Sequence, residues 1–192
     1  MRKLILVRGA PGSGKSTLLE KAGLKAQTLS TDTLRQIQAS PVIGPTGRLI
    51  FDGSHDNVVF AKMWELMNQR MSRGELIAFD STLGNQSDLN DMVRKAKEYN
   101  YEVLLIDLGE TPLDLALKQN NQRVEPWVVP NEAVKKIHQR CDRQLECNDI
   151  QVFRPTADEI LSGNQASINK IKDFINIPIK DLSKYKEVVH IG

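Results

Sequence analysis

The stretch Gly9-Ala10-Pro11-Gly12-Ser13-Gly14-Lys15-Ser16 follows directly on the apolar run 4–7, and this pairing leaves few folds open. Glycines at 9, 12 and 14 let the backbone curl so that successive N–H groups point inward at phosphate oxygens. Lys15 can then reach the β- and γ-phosphates of a triphosphate, and the Ser16 hydroxyl is placed to hold Mg²⁺. A strand that ends in such a turn and passes into a helix is a P-loop. Its residues Gly9, Pro11, Gly12, Ser13, Gly14, Lys15, Ser16 and Thr17 are the candidate binding set for ATP or another nucleoside triphosphate with Mg²⁺ or Mn²⁺. The helix beginning at Lys15 turns its positive end toward the same phosphates. A glycine-rich turn without a ligand has no need of Lys and Ser in that order.

Apolar runs alternate with helical patterns along the rest of the chain. Strands are expected at 4–7, 27–30, 76–79 and 102–108, separated by helices from Lys15, from Asp32, over 57–72 and over 88–99. Strands alternating with helices argue for right-handed βαβ units, hence an α/β fold with a parallel sheet flanked by helices. Ligands of such sheets collect at the carboxyl ends of the strands, which brings the P-loop, Asp32 and Asp80 into one site. With 192 residues, 40% of them hydrophobic, the chain can bury one sizeable core. No apolar stretch approaches the roughly 20 residues of a membrane span, and Met1-Arg2-Lys3 runs into the first strand without a signal-peptide pattern, so a cytoplasmic setting and no membrane partner are expected. Cys141 and Cys147 are too few for a disulfide scaffold and are read as reduced thiols. A formal charge of +2 neither demands nor excludes a nucleic-acid partner.

Ser30-Thr31-Asp32-Thr33-Leu34-Arg35 ends the second strand, where a phosphotransferase needs a carboxylate to take the acceptor's proton. Arg35, three residues on, shares a helix face with Asp32 if Asp32 opens the helix, and can hold an anionic part of the same acceptor. Asp32 can equally be a helix cap and Arg35 a solvated side chain. Helices at 113–120 and 131–145, joined by the Pro-punctuated residues 122–130, suit either a lid over the phosphates or plain packing on the sheet. Asp80, ending an apolar strand, has the place of a metal-side carboxylate. A strand at 150–153, a helix start at Pro155-Thr156 and an amphipathic stretch at 167–175 follow.

Taken in order, the P-loop, the segment from Thr31 to Arg35, Phe79-Asp80-Ser81-Thr82, and Asn120-Asn121-Gln122-Arg123 followed by Val129-Pro130 resemble the kinase domain of bacteriophage and bacterial polynucleotide 5′-hydroxyl kinases. The likeness runs from about residue 3 to 145. It implies a P-loop kinase with a helical lid, Lys15 and Ser16 on the donor phosphates and metal, Asp32 as general base, and Arg35 on the acceptor phosphate. Arg123 would be the lid arginine, and Asp80 would face the acceptor rather than the metal. The chain departs from the family at Gln119, where a second lid arginine is common.

The resemblance divides the chain into a kinase domain over 1–155, with its lid at about 112–146, and an extension over 156–192. The apolar run 186–192 reads either as a last strand of the local sheet or as the start of a further, metallophosphoesterase-like domain, with a fused phosphatase or ligase in a longer chain. The functional reading is transfer of a γ-phosphate to the 5′-hydroxyl end of RNA or DNA, as in nucleic-acid repair. A small-molecule kinase is the alternative. A nucleotide-hydrolysing regulatory module is a third, and it lacks a guanine-reading motif, since Asn169-Lys170-Ile171-Lys172 has no Asp. His55 and His138 are read as ordinary histidines, Phe60, Trp64 and Met67 as core, and Trp127 either as stacking a base or, in the safer reading, as packing between the lid helices. Arg70 and Arg73 are read as solvated or as part of a phosphate track.

Overall fold

The computed structural model describes residues 2–44, 47–51 and 53–176. Five parallel strands form one sheet: β1 (Lys3–Arg8), β2 (Thr28–Ser30), β5 (Ile77–Asp80), β6 (Glu102–Asp107) and β7 (Gln151–Phe153), in the order β2-β5-β1-β6-β7. The intervening β3 (Val42–Ile43) and β4 (Leu49–Ile50) form a separate antiparallel pair. The helices are α1 (Lys15–Lys21), α2 (Thr31–Gln38), α3 (Asp56–Ser72), α4 (Gln86–Glu98), α5 (Leu113–Asn121), α6 (Asn131–Cys141), α7 (Ala157–Leu161) and α8 (Gln165–Ile175).

Alternation of side chains along each strand divides the core into two layers. Leu4, Leu6, Phe79 and Leu105 pack with Val59, Met63 and Met67 of α3 and Leu89 of α4. Ile5, Val7, Ala78, Leu104 and Ile106 pack on the opposite face with Leu18 and Leu19 of α1. Both faces being covered explains why the strands read as continuous apolar runs. Met67 is buried and Trp64 packs against the first layer as expected, whereas Phe60 is 39% exposed, because it points away from the sheet-facing stripe of α3.

The helices α7 and α8, beyond residue 155, belong to these layers. Ile160 of α7 and Ile168, Ile171, Phe174 and Ile175 of α8 complete the α1 side of the core. A capping box at Thr156, whose side chain and Glu159 satisfy each other's backbone N–H groups, starts α7 where Pro155-Thr156 suggested. The run 186–192 lies outside the described residues.

Strand register places the carboxyl ends level. Ser30 pairs with Asp80, Asp80 with Val7, and Val7 with Ile106. The residues that follow β1, β2 and β5 therefore leave the sheet on one rim, and the site is built there. Most boundaries shift by a residue or two from the sequence reading, and two of the differences concern candidate residues. Thr31, not Asp32, opens α2, and α6 stops at Cys141, leaving Cys147 outside it.

Because α8 is part of the common core, Ile171→Ala should destabilise the whole molecule by about 2–5 kcal/mol. Urea unfolding followed by circular dichroism should show one transition at lower midpoint; a separate early transition would mark the C-terminal helices as an independent unit.

Candidate functional site

The P-loop turns from β1 into α1 with Gly14 in the left-handed region at φ 86° as the residue before the helix. Gly12 is left-handed too, at φ 81°, and a Cβ there would stand 2.0 Å from the carbonyl oxygen of Ala116 in α5. No side chain fits between loop and helix, which is why glycine occupies that position. Lys15 is nearly buried, its Nζ donating to the Ala10 carbonyl at 2.9 Å. The Ser13 hydroxyl is buried without a partner, so the loop holds an unused polar atom. Ser16 Oγ donates to Asp80 Oδ2 at 2.5 Å, joining the end of β5 to the start of α1.

Asp32 lies in the first turn of α2. The residue before the helix, Ser30, makes no side-chain cap, and Asp32 does not cap either: arginines hold both of its carboxylate oxygens. Arg35 Nη1 donates to Oδ1 at 3.1 Å and Arg123 Nη2 to Oδ2 at 2.6 Å. Arg35 is not a solvated side chain, since its Nε also donates to Asp56 Oδ1 at 2.8 Å. Arg123 therefore spans from the connector between α5 and α6 to the rim of the sheet.

That connector is shaped by Asn120, fully buried at the end of α5. Its Nδ2 donates to the Val129 carbonyl at 2.7 Å and its Oδ1 accepts from the Val129 N–H at 3.1 Å. One amide side chain thus closes the loop that carries Arg123. Glu125 in the same loop accepts from the backbone N–H of Leu49 at 3.1 Å and faces Arg48. Trp127 has an aromatic partner outside the lid helices. It meets Phe51, just after β4, with ring centroids 4.7 Å apart and planes inclined by 37°. An aromatic pair of this kind gains from contact with its neighbour's ring and leaves a flat apolar face beside it.

P-loop, Asp32, Arg35, Arg123 and Asp80 all border one cleft of about 660 Å³, together with Phe51, Trp127, Gln119 and Arg140. Gln119 Oε1 lies 3.9 Å from where a Cβ on Gly14 would stand, so the position that departs from the polynucleotide-kinase pattern does reach the loop. Asp56, Phe51 and Arg140 carry no signal of their own in the sequence. An Asp opening a helix, an aromatic after a short hairpin and an arginine late in a helix are all common, and only their convergence marks them.

Beneath the cleft lies Arg8, the last residue of β1 and fully buried. Its Nη1 donates to Asp107 Oδ1 at 2.7 Å, its Nε to the Leu83 carbonyl at 3.0 Å, and its Nη2 to the carbonyls of Arg140 at 3.1 Å and Arg143 at 2.8 Å. Asp107 also takes the N–H of Gly109 and faces Arg154 at 3.4 Å.

The remaining candidates have structural partners. His138 bonds the Thr111 carbonyl, Arg70 the Gln27 carbonyl, and Arg73 the carboxylate of Glu75. Burial pushes the thiol pKa of both Cys141 and Cys147 up, which disfavours reactive thiolates. Among the described residues no group of three or more His, Cys, Asp or Glu side chains is placed to hold a metal, and no helix is long and apolar enough to cross a membrane.

A parallel sheet in this order, a P-loop after its central strand and a helical pair over the rim define a P-loop kinase fold. Residues 4–144 match the AAA domain family AAA_33, and the chain belongs to that family. No curated protein sequence matches it. Among solved structures it is similar to Chaetomium thermophilum Kti12 in complex with ADP-AlF3, at 18% identity over 88% of this chain and 97% of that one, with a TM-score of 0.61. A sugar kinase from Janibacter sp. HTCC2649 is similar at 14% identity over 92% and 96% of the two chains, TM-score 0.58. The Deinococcus radiodurans tunicamycin resistance protein follows at 12% identity over 93% and 98%, TM-score 0.55. At these identities the likeness is one of fold.

Gly12→Ala would force a methyl group into the Ala116 carbonyl in a backbone conformation that disfavours it. We expect a loss of at least about 1–3 kcal/mol in thermal unfolding, together with weakened nucleotide binding in calorimetry.

Proposed function

We propose that the protein is a polynucleotide 5′-hydroxyl kinase that transfers the γ-phosphate of ATP or another nucleoside triphosphate to the 5′-OH end of RNA or DNA. The observation that carries this reading is the Asp32 carboxylate, held between Arg35 and Arg123 in the same cleft as Lys15 and Ser16. A base and a cation side by side suit an acceptor whose hydroxyl neighbours a phosphate. The Phe51–Trp127 pair bordering the cleft, its rings inclined by 37°, offers aromatic surface to an acceptor that also carries a planar ring, and a nucleobase against an aromatic contributes about 1–3 kcal/mol.

In this reading the loop amides and Lys15 hold the donor's β- and γ-phosphates. Ser16 and Asp80, two oxygen donors already in contact, fit Mg²⁺, which keeps most of its waters and needs few protein ligands. Ser16 and Asp80 would hold such a metal, which would supply positive charge to offset that of the donor phosphates. In this reading Asp80 serves the donor side, supported by its contact with Ser16, rather than the acceptor side that the family resemblance implies. Arg123 exchanges Asp32 for the donor phosphates, freeing Oδ2 to accept the proton of the acceptor hydroxyl. The acceptor oxygen bonds to the γ-phosphorus as the bond to the β-phosphate oxygen breaks. That oxygen keeps the electron pair and leaves with the nucleoside diphosphate. Arg35 grips the phosphate that follows the terminal nucleoside.

The direct test offers γ-labelled ATP with 5′-hydroxyl and 5′-phosphate oligonucleotides. Label on the 5′-hydroxyl end alone is expected; labelling of a sugar or other small alcohol and of no oligonucleotide would replace this reading with a small-molecule kinase.

Asp32→Asn should retain triphosphate affinity and lose transfer by about 10²–10⁴-fold, the usual worth of a general base. Turnover at the wild-type rate would remove Asp32 from the chemistry.

Wild type should phosphorylate a nucleoside 3′-monophosphate far better than the bare nucleoside, because only the former offers Arg35 a charge-assisted contact. In Arg35→Ala that preference should shrink toward unity, read as the ratio of kcat/KM values. An unchanged ratio would place the acceptor phosphate elsewhere.

A further inference from the structure

Four cations border the cleft, and two of them are already committed: Arg35 to Asp32 and Asp56, Arg123 to Asp32. Lys15 rests on a carbonyl. The fourth, Arg140 of α6, is exposed, and its guanidinium has no carboxylate partner among the described residues. An unpaired arginine on an open surface is ordinary. This one is held in place by its backbone.

The carbonyl of Arg140 accepts from the buried guanidinium of Arg8, the residue that leads into the P-loop, and so does the carbonyl of Arg143. Cys141, the next residue, is buried with its thiol on the Thr82 carbonyl at 3.6 Å. The Arg140 stem lies over Gly84, whose missing Cβ would meet its Cβ and Cδ at 3.8 and 3.9 Å. The end of α6 is thereby tied both to the donor strand β1 and to the loop after β5.

Sheet order gives this position its meaning. β5 lies between β1, which carries the P-loop, and β2, which carries Asp32. Arg140, whose stem lies over Gly84 in the loop after β5, borders the same cleft as the donor loop and the base, where the phosphoryl group is transferred. Charge on that group is spread over its three equatorial oxygens, and fixed cations aimed at it are a main source of rate. Gln119, neutral and beside Gly14, leaves room for another cation to act there.

We infer that Arg140 is a phosphate-binding residue of this cleft that engages the γ-phosphoryl group, supplying from α6 the second cation that Gln119 does not supply from α5. The inference rests on the donor half of the function proposed above and is independent of what the acceptor is.

The test compares wild type with Arg140→Ala and Arg140→Lys in calorimetric binding of ADP and of the β,γ-imido analogue of ATP, both with Mg²⁺ and without acceptor. Losing a charge-assisted contact should weaken the analogue by about tenfold or more in Arg140→Ala. ADP affinity and the thermal midpoint should stay within experimental error of wild type, and Arg140→Lys should recover part of the loss. Equal weakening of both nucleotides, or of neither, would overturn the assignment. Failure of the oligonucleotide-labelling experiment with this discrimination intact would sink the acceptor reading alone; loss of the discrimination with labelling intact would sink only the role of Arg140.

Discussion

A guanidinium removed from water is costly unless its donors find partners, and Arg8 makes four hydrogen bonds by drawing four segments together. Asp107 supplies the countercharge from the neighbouring strand, and three backbone carbonyls take the remaining donors, one from the loop after β5 and two from the end of α6. Leu83, which provides the first, holds a left-handed φ of 42°, unusual for a leucine and sustained by that bond and by burial. The rim of the sheet, the lid and the P-loop are therefore mutually fixed through one side chain. Removing it would leave Asp107 buried beside Arg154 alone and three carbonyls unsatisfied.

The lid is organised by the same economy of partners. Asn120 closes the connector on Val129, and Arg123 at the start of that connector crosses to Asp32. Glu125 and Trp127 fasten its middle to the β3–β4 hairpin and Phe51. The cover over the cleft is thus made jointly by a helical pair and a short hairpin, elements far apart in the chain.

The P-loop, the parallel sheet implied by βαβ alternation and the proximity of Asp32 and Arg35 were legible in the sequence because each is a local pattern. Asp80 was legible as a carboxylate at a strand end, though its contact with Ser16 depends on the register of β5 against β1. The hairpin at Val42–Ile50 was not, since strands of two residues carry no periodicity. The contact of Trp127 with Phe51 is hidden for the same reason, since Phe51 follows that hairpin directly. Arg8 and Arg140 look like ordinary arginines until the sheet brings them together. The helices beyond residue 155 were read as an extension because their apolar stripe does not say which surface it covers; α1 and the sheet do.

Gly12 and Ala116 touch backbone to backbone, and this has a bearing on how the site opens. A lid helix seated directly on the phosphate loop cannot swing outward as one rigid arm without peeling away from the loop itself. Traffic of substrates into the cleft is then left to shorter levers: the connector over 122–130, whose hold on the sheet rim is a single ion pair, and the hairpin that leans on it. In such an arrangement the first half of the lid serves as a wall of the donor pocket and the second as its door, with Asn120 at the hinge post between them.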